Sequence, residues 1–231
     1  MGIREIEAPD IKFRHEYKFQ INVSDYCEIR SRLRVLTRVD RHAQNGEYTI
    51  RSLYFDNADD KALREKVDGV SRREKFRIRY YNDDLTFLRL EKKAKINGLC
   101  QKRSAPLNAE ECRRILAGDY AFLRERPEEL LVEFYTKLVG QQLRPRSVIV
   151  YDREPYVYPP GNVRVTFDKN LRTGLNPSAF LEADAPLVHW GGGMLLEVKY
   201  DEFLPEVIKD AVGASSRRAA AFSKYAMGRQ C

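Results

Sequence analysis

Basic side chains recur at every second position in two neighbouring segments. Lys75, Arg77 and Arg79 alternate with apolar residues in KFRIRYY, and Arg89 and Lys93 share one parity in the next segment. Residues two apart point to the same face of a β-strand, so Arg77 and Arg79 would place their guanidinium groups roughly 6.6–7 Å apart. Guanidinium groups donate forked hydrogen bonds that match phosphate oxygens. The spacing therefore indicates a surface for successive phosphates of one chain.

Isolated acidic residues share the faces of these cations. Glu16 lies two residues before Lys18, and Glu197 lies two before Lys199. Such carboxylates can pair with the cations or help to hold Mg²⁺ or Mn²⁺, and the residues alone leave both roles open. Asp168, on the parity of Arg164, favours a salt bridge.

Other site chemistries find little support. His15, His42 and His189 are scattered and do not form a metal site. The glycines at 191–193 lack the GxxxxGK[ST] pattern of a P-loop and favour a turn. The four cysteines form no CxxC pair, which argues against a zinc ribbon or a disulfide framework and favours the cytoplasm.

Composition indicates a folded, basic protein. The 231 residues include 41 Lys and Arg against 34 Asp and Glu, a formal charge of +7, and 43% are hydrophobic. These values exclude a disordered chain, and the mean hydropathy is −0.56. We expect neither a signal peptide nor a membrane span, because no apolar run is long enough. The basic excess indicates an anionic partner.

The elements that would carry these residues are mostly strands joined by hairpin signals. Asn82-Asp83 and Asn97-Gly98 stand where tight turns are needed, and Asn108 with Glu111 forms a capping-box pattern. Strands are predicted at 14–22, 47–56, 74–81, 85–95, 99–105, 146–158, 162–170 and 194–200. Helices are predicted at 25–36 with Ser24 as N-cap, after Asn108, at 127–140, at 205–212, and at 217–227 with Ser216 as N-cap. The pattern predicts one α+β domain over 1–231, in which about eight antiparallel strands form a barrel or a strongly curved sheet with helices packed outside.

The strand faces suggest what the inside of such a barrel would contain. An ordinary sheet with one solvated face explains any single strand. Here six strands carry Arg and Lys on one face and apolar residues on the other, so a curled sheet would gather the cations in a lumen. Like charges in a confined space repel, and water, bound polyanion and a few acids would offset that repulsion.

Several motifs, in this order and spacing, resemble the VTC domain, the polyphosphate polymerase domain of the vacuolar transporter chaperone family. They are HEYKF at 15–19, IRSLYFD at 50–56, KFRIRYY at 75–81, LEKKAK at 90–95, VIVYDREPY at 148–156, RVTFD at 164–168, LLEVKY at 195–200 and FSKY at 222–225. The similarity covers about 11–228. That domain belongs to the CYTH, or triphosphate tunnel metalloenzyme, superfamily.

The resemblance implies a metal-dependent phosphotransferase that moves the γ-phosphate of ATP to a growing inorganic polyphosphate chain, with Mn²⁺ or Mg²⁺. Carried over by position, the catalytic phosphate ligands would be Lys18, Arg77, Arg79, Lys93 and Arg153. Further substrate contacts would be Lys102, Tyr151, Ser223 and Lys224, and the strand faces add Lys75, Arg89, Arg164 and Lys199. Glu197 would be the principal metal ligand, with Glu16 and Glu91 as further candidates; an ion pair with a lumen cation is the alternative for each.

The segment at 14–18 departs from the ExExK signature of many tunnel enzymes. It reads RHEYK, which agrees with the VTC branch and disfavours a thiamine triphosphatase or an adenylate cyclase. A tripolyphosphatase or nucleoside triphosphatase with water as acceptor, and a non-catalytic polyphosphate-binding subunit, remain alternatives. Nucleic acid is not expected as a partner, because most aromatic residues fall on the apolar parity. A membrane-protein partner and the oligomeric state stay open.

Overall fold

The computed structural model describes residues 14–43, 45–96, 99–191, 193–217 and 222–229. The strands are β1 (His15–Ile21), β2 (Arg38–Val39), β3 (Tyr48–Asp56), β4 (Arg72–Tyr81), β5 (Asp84–Ile96), β6 (Leu99–Leu107), β7 (Arg144–Tyr158), β8 (Val163–Gly174), β9 (Leu187–His189) and β10 (Met194–Tyr200). The α-helices are α1 (Val23–Leu36), α2 (Lys61–Val67), α3 (Ala109–Leu116), α4 (Glu129–Gly140), α5 (Glu206–Ala211) and α6 (Lys224–Met227). Within the described residues, no helix combines the length and apolar character needed to cross a bilayer.

The ten strands form one sheet with the order β1-β10-β8-β7-β3-β4-β5-β6, and β2 and β9 pair with β7 and β8. Every pairing is antiparallel. The two edge strands approach each other where Arg14 and Cys100 form an isolated antiparallel bridge. The sheet therefore curls round without closing into a continuous ladder. The α+β, antiparallel prediction is confirmed, with ten strands in place of about eight, because β2 and β9 are too short to read from alternation.

Two apolar cores lie on the outer face of the curled sheet. The first packs beneath α3 and α4 and includes Ile78, Leu90 and Phe134. The second packs beneath α1 and α5 and includes Phe167 and Val198. The residues of opposite parity on the same strands then face the concave side, which we call the lumen.

Local sequence signals explain most helix and turn positions. Asn82 and Asp83 both adopt the left-handed conformation between β4 and β5, as the hairpin prediction requires, whereas Asn97-Gly98 lies outside the described residues. The capping box of Asn108 and Glu111 is confirmed. Helix α1 begins earlier than expected, because Asn22 and not Ser24 is its N-cap and forms a capping box with Asp25.

The C-terminal segment differs from its prediction. The expected helix from Arg217 with Ser216 as N-cap is wrong: α6 begins at Lys224 with Ser223 as N-cap, and 218–221 lie outside the described residues. Helix α6 also packs on the lumen face and not outside. The Tyr225 ring stacks on Tyr54 with 5.2 Å between centroids. Gly228 lies so close to β7 that an added methyl group would overlap Ile149.

Candidate functional site

The register between β1 and β10 places two carboxylates and two lysines in a checkerboard on the lumen face. Lys18 lies opposite Glu197, and Glu16 lies opposite Lys199. The Lys18 ammonium is 3.6 Å from Glu16 and 3.5 Å from Glu197. The Lys199 ammonium is 3.5 Å from Glu16 and 3.3 Å from Glu197. Each carboxylate therefore shares both lysines with the other.

Glu197 is the most enclosed carboxylate of this group and is only 4% exposed. Besides the two lysines, it accepts a hydrogen bond of 2.7 Å from Lys224 and one of 3.4 Å from Arg153. Burial alone would raise the pKa of Glu197, but the charges of Lys224, Lys18, Lys199 and Arg153 hold this pKa well below its ordinary value. Glu197 is therefore ionised and surrounded by four cations.

Asp168 on β8 joins Arg153 and Lys224 in the same buried region. The Arg153 guanidinium donates two hydrogen bonds to Asp168, of 2.6 and 2.8 Å, in the bidentate geometry that gives the strongest pairs. Lys224 lies 2.5 Å from the same carboxylate. Asp168 thus forms the salt bridge that its parity with Arg164 suggested.

Glu91 on β5 organises a second group of cations. Its carboxylate lies 2.6 Å from Arg77, 3.8 Å from Arg79 and 2.5 Å from Lys102. Arg79 also donates to Ser52 at 2.9 Å and to the Tyr151 hydroxyl at 3.1 Å. Burial opposes ionisation of Glu91, but Arg77, Arg79 and Lys102 keep its pKa far below the ordinary value.

The two groups lie side by side around the lumen. Lys93 reaches from β5 to β1, where its ammonium lies 3.0 Å from Glu16. On the other side, the Lys224 ammonium lies 4.8 Å from the centre of the Tyr151 ring, whose hydroxyl accepts from Arg79. We call this set the ion-pair ring; its members are Glu16, Lys18, Arg77, Arg79, Glu91, Lys93, Lys102, Tyr151, Arg153, Asp168, Glu197, Lys199 and Lys224.

Lys75 is a lumen cation that stands apart from the ion-pair ring. Among the described residues no carboxylate lies within ion-pair distance of its ammonium, which is 5.7 Å from the centre of the Tyr54 ring. Burial, with Lys93 and Lys18 nearby, lowers the pKa of Lys75 to about 7. Burial likewise lowers the pKa of Lys199 to about 8, against the attraction of Glu197. An added anion would therefore stabilise the charged form of both lysines.

Helix α6 carries two predicted substrate contacts, of which Lys224 belongs to the ring. Lys224 is its first residue, and Ser223 caps it by accepting from the Ala226 amide at 3.4 Å. Asp56, which is fully buried, holds the helix in place by accepting a hydrogen bond of 2.7 Å from the Tyr225 hydroxyl. The backbone amides of Ala62 and Leu63 in α2 donate to the same carboxylate.

Four predicted substrate contacts are not members of the ring: Lys75 and Ser223, described above, and Arg164 and Arg89. Arg164 pairs with Asp40 at 2.8 Å and donates to the Tyr48 hydroxyl at 2.9 Å. The Arg89 guanidinium lies 4.8 Å from the centre of the Phe87 ring. Both side chains are half-buried and occupy one end of the lumen face.

Sequence reasoning missed several polar residues of the lumen. Ser52, Tyr54 and Asp56 alternate along β3 in YTIRSLYFD, and this alternation was the available signal. Burial opposes ionisation of Tyr54, but Arg77, Lys75 and Arg79 lower its pKa to about 7. The lumen therefore contains tyrosines as well as cations.

A divalent metal would have to be held jointly by protein and phosphate. No group of three His, Cys, Asp or Glu side chains gathers as a metal site within the residues described. Glu16 and Glu197 share two lysines, and two carboxylates with phosphate oxygens and water are a donor set that Mg²⁺ accepts. Glu91 shares no lysine with that pair. The residues thus fit an ion at Glu16 and Glu197 that arrives with its phosphate.

Comparison with known proteins identifies a family for this chain and a solved structure with a similar fold. The chain matches the model of the VTC domain over residues 13–231. It is similar to a Bacillus halodurans protein described as a candidate adenylate cyclase, with 12% identity and a TM-score of 0.53, covering 91% of this chain and 93% of that one. It is also similar to the PH1819 protein of Pyrococcus horikoshii, with 13% identity and a TM-score of 0.48, covering 94% and 98%. No curated protein matches the sequence significantly.

Proposed function

Because the chain belongs to the VTC-domain family, we propose that it is a metal-dependent phosphotransferase that transfers the γ-phosphate of ATP to inorganic polyphosphate. The observation that carries this proposal is the ion-pair ring itself. Its cations face one another across a curled sheet, so that a thin, unbranched polyanion is the ligand whose charge and shape suit them. A duplex or a folded acidic protein would contact only the rim of such a site.

In this reaction the chain's own residues hold and orient phosphates. Arg77 and Arg79 lie on successive lumen positions of β4, and Lys18, Lys93 and Arg153 face them from other strands. Phosphoryl transfer requires mainly positioning and stabilisation of charge on the transferred group. No Ser, Cys or His nucleophile is needed, because the acceptor is itself a phosphate oxygen.

Glu16 and Glu197 are the residues that would hold Mn²⁺ or Mg²⁺. The ion would neutralise phosphate charge and help to orient the transferred group. Lys18 and Lys199, which contact both carboxylates, would remain within reach of the same phosphates. The donor is ATP, so we also infer a cytoplasmic site of action, with or without a membrane-protein partner.

The deciding experiment incubates the pure protein with ATP and Mn²⁺ or Mg²⁺ and separates polyphosphate from free phosphate on a gel. We expect a ladder of long polyphosphate. Release of free phosphate alone would favour the tripolyphosphatase or nucleoside triphosphatase reading, and binding without turnover would favour a non-catalytic subunit.

A matched pair of variants connects the product to the ring. Arg79→Met removes a buried guanidinium beside Tyr151, and Arg124→Met removes an exposed one that lies 5.6 Å from the centre of the Tyr135 ring. We expect the first to reduce transfer by at least tenfold and the second to leave it unchanged, since one charge-assisted hydrogen bond contributes about 1.5–3 kcal/mol. Equal activity in the two variants would show that the ion-pair ring takes no part in the reaction.

The metal proposal has its own test. Glu197→Gln keeps the shape of the side chain and removes its charge, so we expect this variant to lose the Mn²⁺-dependent transfer activity. Glu202→Gln, in the loop after β10, is the control. Binding of Mn²⁺ in the presence of tripolyphosphate, followed by the paramagnetic signal of the ion, gives a readout that does not depend on turnover. An unchanged Mn²⁺ signal in Glu197→Gln would remove this residue from the metal site.

A further inference from the structure

An exposed aromatic side chain lies at one end of the lumen face. Phe87 on β5 is 47% exposed, although its neighbours Leu88 and Leu90 are buried in the outer core. The strand is therefore held in place without Phe87, whose ring has a face open to solvent. An exposed phenylalanine contributes little to folding, so its position is informative.

The contacts of Phe87 connect it to the ion-pair ring. Its ring lies 4.8 Å from the Arg89 guanidinium and 6.3 Å from the Tyr81 ring. Tyr81 in turn packs edge-on against Tyr48, with 5.5 Å between centroids, and Tyr48 accepts from Arg164. Burial opposes ionisation of Tyr81, but the nearby Arg79 lowers its pKa, which places Tyr81 beside the lumen cations.

This end of the lumen therefore has a different chemistry from the other. Flat groups, namely Phe87, Tyr81 and the Arg89 guanidinium, lie next to Arg79, whose cross-strand neighbour is Arg89. Towards the other end of β4, Lys75 lies opposite Lys93, and charges of Lys93 and Lys18 act on it. One end can receive a ring as well as phosphates, whereas the other offers ammonium groups to phosphates.

We propose that Phe87 and Arg89 form a stacking site for the purine base of the nucleoside triphosphate donor. This inference rests on the proposed function for the presence of that donor. With the base on Phe87, the triphosphate would run inward past Arg79 and then Arg77, which are two residues apart on one strand and thus roughly 6.6–7 Å apart. The γ-phosphate would then point toward Lys75 and Lys93, and the phosphate acceptor would approach from that side.

Stacking on an aromatic ring recognises the flat face of a base and not its hydrogen-bonding edge. The site should therefore favour nucleotides over bare triphosphate and discriminate weakly between adenine and guanine. Arg89 would have two roles, since it lies over one face of Phe87 and supports the ring whose other face takes the base, and its charge attracts the first phosphate.

The test compares binding of ATP and of inorganic tripolyphosphate, each with Mn²⁺, by titration calorimetry. Phe87→Ala should weaken ATP binding roughly five- to tenfold, the lower range for loss of one stacked base, while tripolyphosphate binding changes less than twofold. Phe87→Tyr, which keeps the ring, should bind ATP like the unchanged protein. Phe203→Ala removes a phenylalanine that is 56% exposed in the loop after β10 and is the matched control.

The outcomes separate this inference from the proposed function. If Phe87→Ala leaves ATP binding unchanged, or weakens ATP and tripolyphosphate equally, the stacking site is wrong and the phosphate site remains. If the unchanged protein binds tripolyphosphate and does not bind ATP, the nucleotide donor and its stacking site are both wrong. If it binds neither, the proposed function fails with them.

Discussion

Lys224 at the start of the C-terminal helix and Glu197 in the middle of β10 form a buried ion pair of 2.7 Å. Lys224 also contacts Asp168, so one ammonium group from a four-residue helix pairs with two carboxylates of the sheet. The position of α6 and the electrostatics of the lumen therefore depend on each other. An anion that displaced Glu197 from Lys224 would act on the helix as well.

This dependence predicts the effect of Lys224→Met. The substitution leaves Asp168 and Glu197 with one buried cation fewer, and breaking such a buried pair destabilises a protein by about 3–5 kcal/mol. We expect a lower melting temperature and weaker tripolyphosphate binding. Lys209→Met, which breaks the exposed pair with Glu206, is the control and should change neither. Similar melting temperatures for the two variants would contradict the buried role of Lys224.

Arg153 and Arg79 should separate stability from binding. Arg153→Met removes the bidentate partner of fully buried Asp168, so we expect a loss of about 3–5 kcal/mol in the free energy of unfolding. Arg79→Met removes hydrogen bonds to the hydroxyl groups of Ser52 and Tyr151 and a longer contact to Glu91, so we expect a smaller loss. Both should bind tripolyphosphate weakly. Urea unfolding with and without tripolyphosphate measures both quantities, and equal destabilisation would refute the distinction.

The stability of the free protein should rise with pH between about 7.5 and 9.5. Lys75 has a pKa of about 7 and Lys199 one of about 8 in the folded state, against 10.5 ordinarily. In this window the unfolded chain binds more protons than the folded chain, so raising the pH favours folding. Lys75→Met should be more stable than the unchanged protein at pH 7, and its stability should rise less steeply with pH. Lys61→Met, which removes an exposed lysine, should change neither the stability nor its pH dependence. A flat profile in the unchanged protein would contradict the lowered pKa values.

Polyanions should stabilise the fold in an order set by their shape. A ligand that binds only the folded state stabilises it by RT ln(1 + [L]/Kd), about 2.7 kcal/mol at a hundredfold excess over Kd. Tripolyphosphate should therefore raise the melting temperature more than orthophosphate at equal phosphorus, because it contacts several ring cations at once. Single-stranded DNA of equal charge should raise it less. A larger shift with DNA would indicate an outer basic surface in place of the lumen.

Alternation of side chains was sufficient to predict the long strands and which of their faces is basic. The predicted faces of β1, β4, β5 and β10 carry the ring residues, because a strand with one buried face has its parity set by apolar residues such as Ile78 and Leu90. Register between strands was not predictable, and it is register that pairs Lys18 with Glu197. The sequence suggested that a few acids would help to offset the repulsion between the cations, and the register shows which carboxylate pairs with which cation.

The elements that prediction missed depend on tertiary contacts. Helix α2 has no buried side chain, and its first turn is anchored by the Asp56 carboxylate from β3. Helix α6 has only four residues, and it is positioned by Tyr225, Tyr54 and Asp56. Local propensity is weak over such lengths, since short isolated helices are marginal in water.

The four carboxylates of the ion-pair ring make the lumen comparable to an ion-exchange resin. Because Glu16, Glu91, Asp168 and Glu197 already serve as counter-ions, an incoming phosphate exchanges one anion for another and does not meet bare charge. The net attraction per phosphate is then the small difference between two large attractions, that of the cations for the phosphate and that of the cations for the carboxylate it displaces. In the proposed reaction, a polymer held in this way can advance one unit at a time, since a returning carboxylate compensates each cation that the polymer leaves.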